Sequence, residues 1–428
     1  MSVIKMKNRI VSLIAAMVIA LSTSGASVET DRTWYLAGES MKVSVTADDA
    51  LIAYAELCDT HGIAAGVVIG LKGNQGTGII ELPSDLHSGY YVLSVYTRHN
   101  PDVSQRLVAV VNPLRKSNDD DIEWVEVAHP DSLSYLSPLT PPLFSLTSSH
   151  PVDARETEGL IIKARVKNVY NGETFDSSLI CPSLSIVGKQ IHYFEGKMVN
   201  DSTAVFHTYG IRGRQPLVLS AMSSTGVSLP IEMISPFAIL LPKQLPHLVF
   251  HYKRSEVETR SLDMQRHQRA IAPAKHELKI GELNDNTAVE GVPLDYDEKV
   301  FGIKPDLTYN LDEYRQFLTI REVLLEYVIY VSKKKVNGAS RLFVRKDEEH
   351  LKTFWPSLVL IDGMPVIDVE RLLSYDARRI HHINIYGGQF TFGNGIYNGI
   401  LSFITRSGRL TNYPIERNVQ YLVFDFPD

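Results

Sequence analysis

A few groups of residues in this 428-residue chain have the types and spacing that chemistry needs. His381-His382 offers two adjacent imidazoles, the side chains most used to hold a transition metal. On a strand, neighbouring side chains point to opposite faces, so this pair cannot chelate one ion and reads as a solvated or hydrogen-bonded pair. Asp362, in Ile361-Asp362-Gly363-Met364-Pro365, could serve as a catalytic carboxylate. Its position in a turn predicts instead an Asx-type role, accepting backbone N–H groups. Gly387-Gly388 and the glycines from Gly393 to Gly399 could cradle an anion, but no lysine or helix start of the phosphate-loop kind follows. They are expected to permit tight turns and close strand approach. Cys58 and Cys181 are the only cysteines, far apart, and two buried free thiols are the expected state. The 20 tyrosines could line a sugar- or protein-binding surface, although strand propensity explains most of them. No Ser-His-Asp, Cys-His or paired-carboxylate set stands out. The reading is therefore no catalytic, cofactor or metal residue, and work done by binding rather than by catalysis.

Charge narrows the partners. With 43 basic against 49 acidic residues and no basic stripe, nucleic acid is excluded as the expected partner. The first residues read as an export signal over 1–26. Lys5, Lys7 and Arg9 precede the apolar run Ile10 to Leu21, and Ser24 and Ala26 form a small-residue cleavage site. No cysteine closely follows, so a lipoprotein anchor is not expected. No later run of about twenty apolar residues predicts a membrane span.

The elements that must hold these residues are mostly strands. Residues 27–113 predict a β-sandwich: Met41 to Val45, Leu51 to Cys58, Ala65 to Leu71, Ile79 to Pro83, Gly89 to Thr97 and Arg106 to Val111. Residues 114–155 read as a linker with one or two local strands. A second, immunoglobulin-like sandwich is expected over 156–245, with strands near Leu160 to Val166, Leu184 to Val187, Thr203 to Thr208 and Pro216 to Ala221. Residues 246–305 predict a connector carrying a helix at Ser255 to Gln268. Residues 306–412 predict an α+β domain. In it, Thr319 and Glu322 cap a helix running to Tyr330, and Lys333-Lys334-Lys335 marks a solvated basic turn. Arg341 to Arg345 is expected to pair with Leu358 to Ile361. Asp368 caps a short helix burying Val369, Leu372 and Leu373, and strands follow at Ile380 to Tyr386 and Ile400 to Thr405. Residues 413–428 read as a tail.

Two stretches carry family resemblances. Asp31-Arg32-Thr33-Trp34-Tyr35-Leu36-Ala37-Gly38-Glu39 and the run from Leu82 to Thr97 resemble the macroglobulin-type domain of macroglobulins and many exported bacterial proteins. The thioester Cys-Gln pair of macroglobulins proper is absent, so the resemblance does not imply protease trapping. Leu360 to Val366, Tyr375 to Ile380 and Phe392 to Leu401 resemble, in order and spacing, the plug domain of TonB-dependent outer-membrane receptors. Receptor plugs precede a barrel of some twenty strands, whereas about twenty residues follow Gly408 here, and no TonB box is evident. The resemblance thus implies a plug-like fold and not a transporter. It implies an exported protein of the periplasm or outer membrane, acting as an accessory or docking subunit of an outer-membrane complex of the transport or barrel-assembly kind. Its partner would be an outer-membrane β-barrel protein. The alternative is a surface adhesin or glycan-binding protein.

Overall fold

The computed structural model describes residues 26–127, 150–187, 191–224, 226–271, 302–336, 338–345, 356–392, 395–408, 410, 413–414, 416 and 418–428. Almost all of the expected export signal, much of the 114–155 linker and residues 272–301 of the 246–305 connector lie outside the described residues. The rest is mostly β, with several sheets, as a multidomain β-sandwich protein requires. Contacts divide the chain into two units, each discontinuous in sequence: 1–157 with 237–276 and 427–428, and 158–236 with 277–426.

In the first unit, two sheets face each other. One has the order Ser27–Thr30, Ser40–Thr46, Gln75–Glu81. The other runs Trp34–Leu36, Val103–Val111, Gly89–Tyr96, Ile52–Cys58, Ile63–Gly70. Met41, Val43 and Val45 alternate inward from Ser40–Thr46 and meet Ala53, Ala55, Leu57, Leu93 and Val108. Ile52–Cys58 and Gly89–Tyr96 are buried along their whole length, because the outer face of their sheet is also covered. The cover comes from segments read as linker and connector. Ile122–Val125 pairs in parallel with Leu248–His251, and the helix Arg254–Ile271 brings Val257 onto Leu36, Ala109 and Val111. Phe250 sits edge-on between Trp34 and Trp124, at 5.0 and 5.4 Å. A local strand and a helix are expected in those segments, but their few and scattered apolar residues give no sign that they cover the sheet. A sheet with apolar side chains on both faces needs a second layer, and few contacts suffice to order it.

The second unit also holds a sandwich. One sheet has the order Lys197–Met198, Thr203–His207, Ile161–Val166, Ile231–Met233, and the other His192–Glu195, Cys181–Ile186, Gly213–Met222, Gln420–Phe426. The last strand corrects the expected tail: Gln420–Phe426 pairs antiparallel with Gly213 to Leu219. An edge strand of alternating apolar residues pays its ordering entropy through that ladder, and the run Tyr421-Leu422-Val423-Phe424 was the signal for it. Cys58 and Cys181 are both free.

The remaining five-stranded sheet has the order Leu307–Asn310, Ile380–Phe392, Gly395–Thr405, Leu358–Ile361, Met364–Pro365. Asp362 and Gly363, at φ 47° and 88°, make the two-residue turn between the last two strands. Leu358–Ile361 lies parallel to Gly395–Thr405. The helix Val369–Leu373, capped by Asp368, packs its Val369, Leu372 and Leu373 with Ile383, Ile385, Leu401 and Phe403. The helix Ile320–Glu326 adds Ile320, Val323 and Leu324 to that core, and both bonds of the Thr319–Glu322 capping box are present.

Three expectations change here. The capped helix ends at Glu326 rather than Tyr330, because Val331–Val336 enters a strand. Ala339–Val344 pairs with that strand, carrying Lys333 to Lys335, and not with Leu358–Ile361. Asn337-Gly338, the strongest short hairpin signal, sits between the two runs. The glycine-rich loop is largely strand: Ile380–Phe392 passes through Gly387-Gly388 with a register shift between Tyr386 and Gln389. Gly399, at φ 82°, allows a close approach, since a Cβ there would stand 2.7 Å from the Val344 Cβ. No helix among the described residues is long and apolar enough to cross a membrane.

Candidate functional site

Most residues whose chemistry invited attention are spent on structure. The Asp362 carboxylate is buried and accepts the Thr405 and Leu410 backbone N–H groups at 2.7 and 2.9 Å, together with the Thr405 hydroxyl. It accepts backbone donors as expected, but from a neighbouring strand end rather than from its own turn. Burial pushes its carboxyl above the ordinary aspartate range, against the pull of those hydrogen bonds.

His381 and His382 do not point apart. A bulge between Ile380 and His382 breaks the alternation, and the two rings lie 4.0 Å apart. His381 Nε2 stands 3.4 Å from Asp312 Oδ2, which also accepts from Arg406 Nη1 at 3.2 Å. Burial lowers the His381 pKa, partly offset by Asp312. Among the described residues, no three His, Cys, Asp or Glu side chains could hold a metal ion.

An open cleft of about 590 Å³ lies beside the helix Val369–Leu373. Its charges are matched internally: Arg371 with Asp368 at 3.3 Å, and Arg379 with Asp376 at 3.9 Å. Both aspartates also cap helical turns, Asp368 through Glu370 N–H and Asp376 through Arg378 N–H. Glu370, at the rim, accepts from Ser340, Arg321 and Lys333, and these hold its carboxyl down at about 2. This arrangement crosslinks two helices and a hairpin, and it presents no nucleophile with a base.

The exposed surface is more informative. Leu318, Leu325 and Ile329 are 63, 79 and 72% exposed around the capped helix, and Tyr330 is partly so. Beside them runs a row of rings: Tyr309 to Tyr314 at 6.3 Å, Tyr314 to Tyr327 at 4.7 Å, and Phe317 to Tyr327 at 5.4 Å. Leu325 and Ile329 fall off the stripe of Ile320, Val323 and Leu324 that the core needs, which is the sequence signal for a second apolar face. In the sandwich of the same unit, Tyr209 is 62% exposed, and its ring meets Phe194 edge-on at 5.2 Å.

No protein-family model matches this chain, and no curated protein does. Solved structures do. One is Escherichia coli alpha-2-macroglobulin activated by porcine elastase, at 11% identity and TM-score 0.19, covering 49% of this chain and 19% of that one. Another is a tetra-tandem repeat from the extending region of a large adhesion protein, at 10% identity and TM-score 0.19, covering 49% of each chain. A third is the Bacteroides ovatus mixed-linkage glucan utilization locus protein SGBP-B in complex with a heptasaccharide, at 7% identity and TM-score 0.16, covering 54% of this chain and 46% of that one. The chain spans less than half the length of each of these proteins. The neighbours are macroglobulin-like and immunoglobulin-like β-sandwiches, and overlaps this slight say nothing about what the chain does.

Proposed function

We propose that this is a non-enzymatic exported envelope protein that works by docking onto a partner protein through its C-terminal α+β region. The observation that carries this reading is the apolar face of Leu318, Leu325, Ile329 and Tyr330, with its row of aromatic rings. Exposed apolar residues this close in sequence, beside carboxylates and arginines already paired, fit a protein interface better than a site for chemistry. The plug-like order of strand, helix, strand and long hairpin supports an outer-membrane β-barrel protein or complex as the occupant. The balanced charge of this chain offers nothing to a polyanion.

The test is recovery from solubilised outer membrane with the purified chain as bait. A β-barrel protein should be retained, and the double variant Leu325→Asp, Ile329→Asp should lose it. Recovery of no barrel protein, or undiminished recovery with the variant, sinks the reading. A second reading, glycan binding, is favoured by Tyr209, whose ring is solvent-facing and braced by Phe194. Glycan-array signal that Tyr209→Ala abolishes would establish it in place of docking.

A further inference from the structure

Within the first unit, one buried polar network grips two of the places where the chain crosses that unit's boundary. The chain leaves after Thr157 and returns at Phe237. Just before the exit, the Glu156 carboxylate accepts the Tyr54 hydroxyl at 2.6 Å and Arg98 at 3.1 Å, with the Arg98 guanidinium 4.6 Å over the Tyr54 ring. Tyr54 stacks on Tyr96 at 5.7 Å. Just after the return, three consecutive backbone N–H groups converge on the same sheet. Ala238 donates to the Tyr96 hydroxyl at 2.7 Å, Ile239 to Glu56 Oε2 at 3.0 Å, and Leu240 to Glu56 Oε1. Tyr96 donates its own proton to Glu56 at 3.1 Å. Phe237 seats its ring where a Cβ on Gly66 would stand only 2.6 Å away.

The grip holds an unfavourable backbone. Ile239 sits at φ 59°, in the left-handed region that a β-branched residue avoids, with its side chain 42% exposed. Its partial exposure limits what packing can repay of that conformation. What repays it is the run of N–H groups, which folds into an anion-binding concavity around the Glu56 carboxylate. Such strain persists only where the surroundings over-determine it.

We propose that residues 237–240 are a strap latched on Glu56, which opens locally while the sheets of the first unit stay folded. Opening frees the chain at its return crossing by four residues. The strained Ile239 drives the strap open, and the Glu56 carboxylate, with Tyr96, holds it shut.

Native-state hydrogen exchange of the full chain tests this, because it resolves local opening from global unfolding. In the unaltered protein, the Ile239 and Leu240 amides should exchange faster than those of Tyr54 and Leu57, through an opening that leaves the strands protected. Glu56→Gln should lower protection at Ile239 and Leu240 by about 10-fold or more, since hydrogen bonds to a charged acceptor are lost. Ile239→Asn, which tolerates the left-handed region, should raise protection there about five-fold. If Glu56→Gln fails to fold by circular dichroism, Tyr96→Phe takes its place, with loss of protection expected at Ala238. Ile239 and Leu240 exchanging only together with the Ile52–Cys58 strand would overturn the proposal, as would protection that neither Glu56→Gln nor Ile239→Asn moves.

Discussion

The two five-stranded sheets of this protein bury similar side chains and end with different surfaces. In the first unit, the sheet built on Ile52–Cys58 is covered on one face by a second sheet and on the other by the Leu248–His251 strand and the Arg254–Ile271 helix. Its large exposed apolar residues include Leu51, Ile79, Ile239 and Leu241, at 38–56% exposure. In the second unit, the sheet built on Gly395–Thr405 is covered on one face by short helices of seven and five residues and on the other by Ile191 and Tyr193, and the longer helix carries Leu325 outward as well as Ile320, Val323 and Leu324 inward. The buried acids differ in reach as well. Glu56 binds amides more than 180 positions away, whereas Asp362 binds groups within fifty. Both sheets are therefore packed on both faces, the second by its helices on one side and by Ile191 and Tyr193 on the other, and the contrast lies in the exposed Leu325 on the covering helix.

The comparison can be broken most forcefully at Leu360, fully buried at the centre of the Leu358–Ile361 strand. Leu360→Asp should cost on the order of 5 kcal/mol, because the carboxylate loses water and gains no partner. Urea unfolding should show the loss, and an unchanged midpoint would mean the strand is not core. Phe250→Ala in the first unit comes next. Emptying the space between Trp34 and Trp124 should cost about 3–4 kcal/mol and weaken the helix cover, read as faster exchange at Val257. Thr319→Ala removes one half of the capping box and should cost about 1 kcal/mol.

A smaller effect concerns pH. Glu370 has a folded-state pKa of about 2, below its ordinary 4.5, because Ser340, Arg321 and Lys333 bond the charged form. A depressed carboxyl stabilises the fold above its unfolded pKa, and that stability is lost as pH falls from about 4.5 through about 2. The group is exposed, so solvent screening keeps the contribution under about 1 kcal/mol. Glu370→Gln should flatten that part of the stability–pH curve. The smallest expected effect sharpens the contrast most. Leu325→Asp with Ile329→Asp should leave the unfolding midpoint within about 0.5 kcal/mol of the unaltered protein, since both side chains already face solvent. A large destabilisation would show that this face is packed and not offered.

How much of this could be read in advance depended on the range of the interaction. Alternation in Met41 to Val45, the Thr319–Glu322 box, the Asp368 cap and the Asp362-Gly363 turn are contacts among residues a few positions apart, so residue types alone disclosed them. The exposed face was half legible, since Leu325 and Ile329 sit off the inward stripe, although exposure itself had to be seen. The His381-His382 argument failed because a bulge breaks strand alternation without any sequence mark.

Sequence by itself determined most strands of the first sandwich, the helix caps and the balanced charge, all of which follow from local propensity and composition. Tertiary structure alone decided that Gln420–Phe426 completes a sheet begun two hundred residues earlier, and that Ile122–Val125, Leu248–His251 and the helix Arg254–Ile271 cover the first sandwich. It alone decided that Glu56 holds the amides of Ile239 and Leu240. Edge pairing, a second covering layer and a buried acid's choice of donor depend on which distant surfaces are left unsatisfied once the local elements have formed. That remainder has no signature in any single stretch of residues.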